Sequence, residues 1–541
     1  MTAAFRLKGT AICLAVLLLF SWGCKKAPEV PAGQRITVAV IGTPRSLSPI
    51  LARDSVSREV QAAYVRGLTQ TGPDGRLQPS WAAAAPTREA GTFKWLGGNL
   101  VEYRLAVRGN AAWSDGQPLL GTDFLFGYTQ ALHPLLRAEH DDWTGLVQRF
   151  ELSGPRDVRL VALRNPRLNA LDVFPLPEAT LGKAMRESPT TFSRLDFHQR
   201  PLSSGPFVLS SGSANGLDLA RNDRFEPTKA RVAQLAVRYY SHVDDALEAL
   251  RKREVDVLTD IPAERAATWD PQDQAIRVER TPGARLVQLV FNTRDPVLRH
   301  DEVRRALAGA LDRAGLEKSL GTADALRAQS WLVPQRAGFE AAFARYDVDV
   351  AVARKALLET GWKVTAEGGL KRGPTTRTFR LLVNADDAAM RQAAEGIVRS
   401  WERVGVKLVL EARPAERYHE GLQRRDFAVA LQEAVFYPWT QPAVYYAKDS
   451  TPTSRNGFRG ENVSGWSDSE HEALLREIAR AAVPADAAGA LKRQQALIAR
   501  DVPILPLYFW PQICAYRADL RGIRPRGYGA LTWNVEEWHW K

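Results

Sequence analysis

Residues 100–134 read LVEYRLAVRGNAAWSDGQPLLGTDFLFGYTQALHP, and the meaning of this stretch decides how the rest of the chain is taken. Val101, Tyr103, Leu105 and Val107 alternate with Glu102, Arg104 and Arg108, the period of two that marks a half-buried strand with its other face in water. Gly109, Asn110 and the run Ser114-Asp115-Gly116-Gln117-Pro118 then turn the backbone, with Trp113 set among them. A helix is predicted next. Thr122 or Gly121 can cap it, Asp123 places a carboxylate in its positive first turn, and Phe124, Leu125, Tyr128 and Leu132 fall near one face. Pro134 marks its end.

Strand, Trp-bearing loop and helix form a packing unit that many folds could use without any ligand. The wording of this unit is more telling. AAWSDGQPLLGTDF, residues 111–124, resembles the "KWSDGxPVTAxDF" block of the family 5 extracellular solute-binding proteins of ABC importers, which include oligopeptide and dipeptide binders. It keeps the Trp113-Ser114-Asp115-Gly116 core, Pro118, Asp123 and Phe124, and departs at Leu120, where that family usually has a capping Thr.

Working outward, further blocks resemble the family's in the family's order. Residues 35–41 (RITVAVI) read as a first strand, and Thr43-Pro44-Arg45-Ser46-Leu47-Ser48-Pro49 is similar to "EPxSLDP" with Ser48 for Asp. Residues 59–68 are helical by period, with Val60, Tyr64 and Leu68 aligned. In the family the loop before this helix lines the cleft, which the resemblance carries to Arg53, Asp54 and Ser55; a plain polar loop is the other reading. PLSSGPFV at 201–208 resembles "PVGTGPYxL". A helix is expected over 243–252, then a strand over 255–261. VQLVFN at 287–292 resembles "xxxxFNT", and DEVRRALAGALDR at 301–313 reads as a helix capped by Asp301. Residues 350–359 make another helix. Residues 379–384, 388–404 and 406–411 read as strand, helix and strand, a spacing that implies a parallel pair with a crossover. A short strand over 426–430 and helices over 471–482 and 486–499 follow, and VPILPLYF at 502–509 resembles the family's return strand.

The resemblance spans roughly residues 36–541 and implies a two-lobed α/β fold of the periplasmic-binding-protein type, in its large three-subdomain form. Residues 35–71, 200–289 and 508–541 would make the first lobe, 72–199 a subdomain inserted in it, and 290–507 the second lobe. The chain would cross between lobes near Leu289 and near Leu507, so that the lobes can hinge over a ligand.

The N-terminus reads as an export signal. Arg6 and Lys8 precede an apolar run of about ten residues, too short to span a membrane, and Ser21-Trp22-Gly23-Cys24 follows. This resembles a bacterial lipobox with Cys24 as the lipidated residue, although Phe20 and Trp22 depart from it; ordinary signal cleavage nearby is the alternative. Residues 1–23 would then be the signal peptide. Residues 24–34, mixing charge with Pro and Gly, suit a tether. Lys25 stands where retention at the inner membrane commonly uses Asp, so by resemblance an outer-membrane anchor is expected in a diderm cell.

Composition narrows the function classes. A chain of 541 residues exceeds one hydrophobic core, and 45% hydrophobic with 25% charged residues is ordinary for a globular protein. The formal net charge is +12, but the basic residues are dispersed rather than gathered on an aromatic-studded face, which argues against nucleic-acid binding. Cys13, Cys24 and Cys514 are too few and too far apart for a zinc site or a disulfide framework. Eight histidines show no metal spacing, and His471-Glu472 lacks the second His of a zinc-protease helix, since Leu475 stands there. GQPLLGT at 116–122 lacks the Lys of a phosphate loop, and no GxSxG elbow occurs. No catalytic residue, metal or cofactor is expected.

The resemblance therefore implies a monomeric lipid-anchored receptor that captures a peptide or other small solute and hands it to an ABC permease. A partner-binding surface lipoprotein of the same fold and an exported hydrolase are the runners-up. In peptide-binding relatives a block like "DFDVxxxGWxADYPDP" supplies an Asp to the ligand's ammonium group. Here residues 426–442 read DFAVALQEAVFYPWTQP, and either Phe436 or Tyr437 falls at that Asp. Neither is an anion. Glu433, the only charge in the row Phe427, Val429, Leu431, Glu433, Val435, is the candidate replacement, or else a polar end of the strand. Phe436, Tyr437 and Trp439 are expected to form an aromatic cleft wall for a blocked, cyclic or modified peptide, or for a non-peptide solute.

Overall fold

The computed structural model describes residues 34–52, 54–134, 136, 144–163, 173–269, 274–320, 327–347, 350–437, 440–481 and 484–541. The signal, Cys24 and nearly all of the tether lie outside the described residues, as do Arg53 and Trp439. Fourteen strands build the two largest sheets: β1 (Arg35–Ile41), β2 (Phe93–Gly97), β3 (Leu100–Ala106), β4 (Val147–Leu152), β5 (Asp157–Leu163), β6 (Phe207–Ser213), β7 (Gly216–Arg221), β8 (Gln234–Tyr240), β9 (Val257–Leu258), β10 (Ile276–Phe291), β11 (Phe379–Asn384), β12 (Leu408–Arg413), β13 (Val429–Val435) and β14 (Ile504–Arg517). Ten of them form one sheet in the order β12-β11-β13-β10-β14-β9-β1-β8-β7-β6, and the other four form a separate antiparallel sheet, β2-β3-β5-β4.

The opening stretch folds as β3, a loop and the helix Gly121–Ala131. Val101, Tyr103 and Leu105 are buried as their alternation predicts, but Glu102 is buried too instead of facing water. It is compensated there by Arg104 and Arg159, each 2.6 Å from one of its carboxylate oxygens, and those hydrogen bonds outweigh the desolvation that pushes its pKa up. The helix is capped by neither Thr122 nor Gly121. Leu120 occupies the cap position, and the Asp123 carboxylate makes the capping bonds, accepting from the Leu120 amide at 2.9 Å and from the Trp113 indole at 3.2 Å. The Trp-Asp spacing is thus a hydrogen-bonded lock of loop onto helix. Leu132 is 42% exposed and lies off the apolar face.

Other elements shift by a few residues for identifiable reasons. The helix expected over 59–68 is Ser55–Gln61: Asp54 caps it at an earlier start, and at its end the Gln61 side-chain amide donates to the carbonyls of Ser46, Ser48 and Ala52. Tyr64 and Leu68 are buried beyond its end. The strand over 255–261 shrinks to β9. Residues 301–313 end their helix at Gly309, with His300 rather than Asp301 at the cap, and Asp312 caps the next helix by accepting from the Gly315 amide at 2.8 Å. The strand, helix and strand of residues 379–413 form the predicted parallel pair, Phe379 opposite Leu408 through Asn384 opposite Arg413.

Where the cores lie explains the architecture. Residues 286–291 and 504–509 belong to one large apolar cluster with helices Asp301–Gly309, Ala388–Glu402 and Pro484–Asp501. Ile276, Val278, Ile513 and Ala515 belong to another, around β1 and helix Val243–Arg251. The two long paired strands β10 and β14 thus run out of one core into the other, and Leu289 and Leu507 both lie inside the larger cluster. Between cores the pairing is broken: Pro282 faces Pro511, and the register slips before Leu286. Prolines remove ladder donors, so the sheet is weakest at this crossing. Among the described residues no helix is long and apolar enough to cross a membrane.

Candidate ligand-binding cleft

β13 is paired along its whole length with β10, from Arg285 opposite Val435 to Phe291 opposite Val429. On its other side β11 pairs only at Val429 and Ala430. Among the described residues the edge over residues 431–435 is therefore left without a strand partner. Two tyrosines bracket it: the Tyr418 hydroxyl donates to the Leu431 carbonyl at 2.7 Å, and the Val435 amide donates to the Tyr445 hydroxyl at 2.8 Å. Backbone groups alternate sides along a strand, so the Glu433 amide and carbonyl point the same way, into the gap between the two tyrosines.

The side chains expected from the sequence fall out differently. Glu433 is held by Arg285 of the neighbouring strand in a two-pronged pair, Nε to Oε1 at 3.0 Å and Nη2 to Oε2 at 2.6 Å. Its charge is already matched, which the row on its own strand could not reveal. Phe436 is only 6% exposed and is no cleft wall: it packs against Trp331, Tyr445 and Tyr446 with ring centres 4.9 to 6.0 Å apart. An aromatic ring of this size belongs in a core when one is adjacent. Tyr437 is 44% exposed. Asp54 caps helix Ser55–Gln61, accepting from the Ser57 amide at 3.0 Å and hydroxyl at 2.7 Å and from Arg45 at 3.0 Å. Burial pushes its pKa up, but these bonds prevail and hold it below the usual carboxylate range. Ser55 is exposed at the helix start.

One face of β14 carries residues to which the sequence pattern assigned no role. Tyr508, Trp510 and Gln512 share it by alternation. The Tyr508 and Trp510 rings meet edge to face at 5.4 Å, and the Arg285 guanidinium lies 5.8 Å from the Trp510 ring. The Tyr508 hydroxyl and the Trp510 indole nitrogen are buried with no hydrogen-bond partner among the described residues. Next to this face the chain end closes the crossing. Gln512 donates to the Gly529 carbonyl and accepts from the Gly527 amide, both at 3.0 Å. Arg526 and Tyr528 donate to the Thr71 and Gly72 carbonyls at 2.7 and 2.8 Å. Arg336 reaches over the Tyr528 ring, 5.0 Å from its centre. A signal for Tyr508 and Trp510 existed in the sequence, since polar-tipped aromatics alternate there between two prolines. Arg336 sits in an irregular loop with none.

Among the described residues no group of three or more His, Cys, Asp or Glu side chains could hold a metal ion. The site is built from a strand edge, aromatic rings and arginines.

The chain is similar to several known proteins. The chain is 25% identical over 517 residues to the oligopeptide-binding protein OppA of Bacillus subtilis (strain 168), covering 90% of each chain. It is 23% identical over 514 residues to the probable deoxycholate-binding periplasmic protein YgiS of Escherichia coli (strain K12), covering 87% of each. Among solved structures, HbpA2 from Haemophilus parasuis matches 94% of this chain and 100% of its own with a TM-score of 0.75 at 17% identity. Residues 94–456 match the model of bacterial extracellular solute-binding proteins, family 5, middle region. With that match covering more than half its length, the chain belongs to the family 5 extracellular solute-binding proteins.

Proposed function

We propose that this chain captures peptides or peptide-like solutes between its two lobes and delivers them to the permease of an ABC importer. The observation that carries this reading is the unpaired edge of β13 between Tyr418 and Tyr445. An extended peptide adds to such an edge through its main chain, which gives affinity with little dependence on side chains. The names of the curated relatives, an oligopeptide binder and a probable deoxycholate binder, support a solute carrier and leave room for ligands that are not peptides. Closure would pivot where β10 and β14 change cores, around residues 282–284 and 510–512, because the ladder is already interrupted there. A ligand touching both lobes shifts the population toward the closed form by its differential contacts. We further propose that Cys24 carries a lipid that holds the receptor, a monomer, at the membrane.

Because Arg285 occupies Glu433, a ligand ammonium gains little at that carboxylate, and free-amine and N-acetylated peptides should bind alike. Isothermal calorimetry with a defined pentapeptide mixture tests the main reading. Binding is expected, and it should be lost when the same peptides are N-methylated at alternate residues. Equal binding of the methylated peptides would show that the strand edge is not the docking element, and no binding of any peptide would defeat the peptide reading.

A further inference from the structure

The four-stranded sheet β2-β3-β5-β4 supplies no residue to the strand edge of β13 or to the aromatic face of β14. Its body is nevertheless joined to the larger core by an ion pair: Arg88 Nη2 lies 3.4 Å from Asp486 Oδ2. Each partner is seated in its own body. Arg88 lies over the Phe93 ring, 5.8 Å from its centre, in a loop closed by Thr87. The Thr87 amide donates to the Thr92 hydroxyl at 2.9 Å, and its carbonyl accepts from the Phe93 amide at 3.1 Å. Phe93 belongs to the core of the four-stranded sheet. Asp486 stands in the first turn of helix Pro484–Asp501, whose Ala487, Ala490 and Leu491 belong to the larger core.

The same helix makes a second contact of this kind. Gly338 packs so closely on it that a Cβ there would come within 2.9 Å of the Ala488 backbone, and the Gly338 carbonyl accepts from the Gln495 side chain at 2.7 Å. This seats the loop from which Arg336 reaches Tyr528, 5.0 Å from its ring centre and hydrogen-bonded to its side chain, with Asp74 in reach of its charge. The Tyr528 hydroxyl donates in turn to the Gly72 carbonyl at 2.8 Å, at the turn between the paired strands Thr69–Thr71 and Leu77–Pro79. Leu68 and Leu77 pack with the core of the four-stranded sheet. One helix of the larger core thus meets the body of that sheet at two places, and neither contact uses β10 or β14.

Two bodies joined by an interrupted pair of strands can part only if contacts off those strands let go. The Arg88 and Asp486 side chains are 55% and 35% exposed, so water and salt screen their attraction to little more than thermal energy. A contact that weak cannot lock the bodies together. It can tip a balance that a ligand must also be able to shift.

We infer that Arg88 and Asp486 form an ionic latch favouring the closed arrangement, with the four-stranded sheet as the plate on which the larger core catches. Opening parts the pair, so the latch adds to the hold on a solute between the bodies. This rests on the closure proposed above and assigns it a residue pair outside the cleft.

The test uses the full chain. In Arg88→Lys a water-soluble carbodiimide should join the new amine to Asp486, and mass spectrometry should find that crosslink in Arg88→Lys but not in Arg88→Lys/Asp486→Asn. Absence of the crosslink from both would end the inference. Charge reversal then reads the effect on closure. Arg88→Asp and Asp486→Arg should each raise the radius of gyration of the ligand-free protein in small-angle scattering. Each should also weaken binding of the pentapeptide mixture in calorimetry about two- to fivefold, the range for an exposed ion pair. The double swap should restore both quantities, which damage to the helix start or to the loop at a single site would not allow. Unchanged scattering, unchanged or tighter binding, or a loss that the swap fails to restore overturns the latch. If no peptide binds the parent, the peptide reading fails on its own, and the crosslink with the scattering of the parent and its variants still decides the latch.

Discussion

His471 is fully buried on helix Ser469–Arg480, and its hydrogen bonding makes the stability of the second lobe depend on pH. Trp331 donates its indole N–H to the Gln494 side-chain oxygen at 2.9 Å, so the Gln494 nitrogen must be the donor to His471 Nε2, 3.1 Å away. The ring therefore accepts at Nε2 and carries its proton on Nδ1. Charging it would require turning Gln494 over and breaking the bond that holds Trp331 against Phe436. Burial accordingly lowers its pKa from 6.5 to about 4. Between those values the unfolded chain binds a proton that the native state refuses, so stability is intact above pH 6.5 and is lost as pH falls toward 4. Each tenfold difference in proton affinity between the two states is worth about 1.4 kcal/mol, which puts the loss at about 3 kcal/mol across the window.

Glu59 works in the opposite sense in the first lobe. Burial raises its pKa from 4.5 to about 7, against the pull of bonds from the Leu531 and Thr532 amides at 2.9 and 2.8 Å. Between pH 4.5 and 7 its native form keeps a proton that the unfolded chain releases, so its contribution falls as pH rises through that window. The absolute pH profile thus mixes two slopes, and the informative quantity is the difference between parent and His471→Gln. Gln can still accept from Gln494 and does not titrate. Urea unfolding followed by tryptophan fluorescence at about pH 7 and about pH 4.5 should show the parent losing about 2 to 3 kcal/mol more than the variant on acidification. A parent-minus-variant difference that stays flat over that range would refute the assigned tautomer and the burial argument together.

Four further outcomes are expected. Cys24→Ala should abolish incorporation of labelled fatty acid and release the protein; unchanged labelling would defeat the lipid anchor. Gly527 has φ of +79°, and a Cβ there would collide with the Pro282 carbonyl at the crossing, so Gly527→Ala should cost ~1–3 kcal/mol in urea unfolding and blunt the drop in radius of gyration that the proposed closure on ligand should give in small-angle scattering. Arg66 and Glu536 form a deeply buried pair 2.7 Å apart, and Arg66→Met should destabilise the protein by ~3–5 kcal/mol by stranding the carboxylate; a neutral effect in thermal unfolding would refute the claim that the pair is needed for stability. Arg285→Gln should free Glu433 and create a preference for free-amine over N-acetylated peptides in calorimetry, and its absence would show that Glu433 does not face the ligand.

Much of the fold was legible because it rests on local rules. Alternation in residues 100–106, helical period in 350–359 and 388–402, and the strand, helix and strand spacing of residues 379–413 need only nearest neighbours along the chain to be read. The boundaries that slipped did so where a distant group intervened. At the end of its helix Gln61 sends its side-chain amide to the carbonyls of an earlier loop, and the buried Glu102 depends on Arg159, 57 residues away.

The candidate site was far less legible, for the same reason. Phe436 looked like a cleft wall because a strand pattern cannot say which neighbour covers an aromatic, and only the packing of Trp331, Tyr445 and Tyr446 draws it into the core. Glu433 stood alone in its own strand, yet Arg285, 148 residues earlier, lies within reach on the adjacent strand of the sheet. In the sequence Asp54 reads as a loop residue ahead of a helix over 59–68, and only the earlier start of that helix at Ser55 makes it the cap. By itself the sequence determined family, fold class and the order of elements, since these are carried by periodicity and by blocks in a fixed sequence. Which charges are matched, which donors are left without acceptors, and where the strands change cores were decided only by tertiary structure, because each depends on groups brought together from remote parts of the chain.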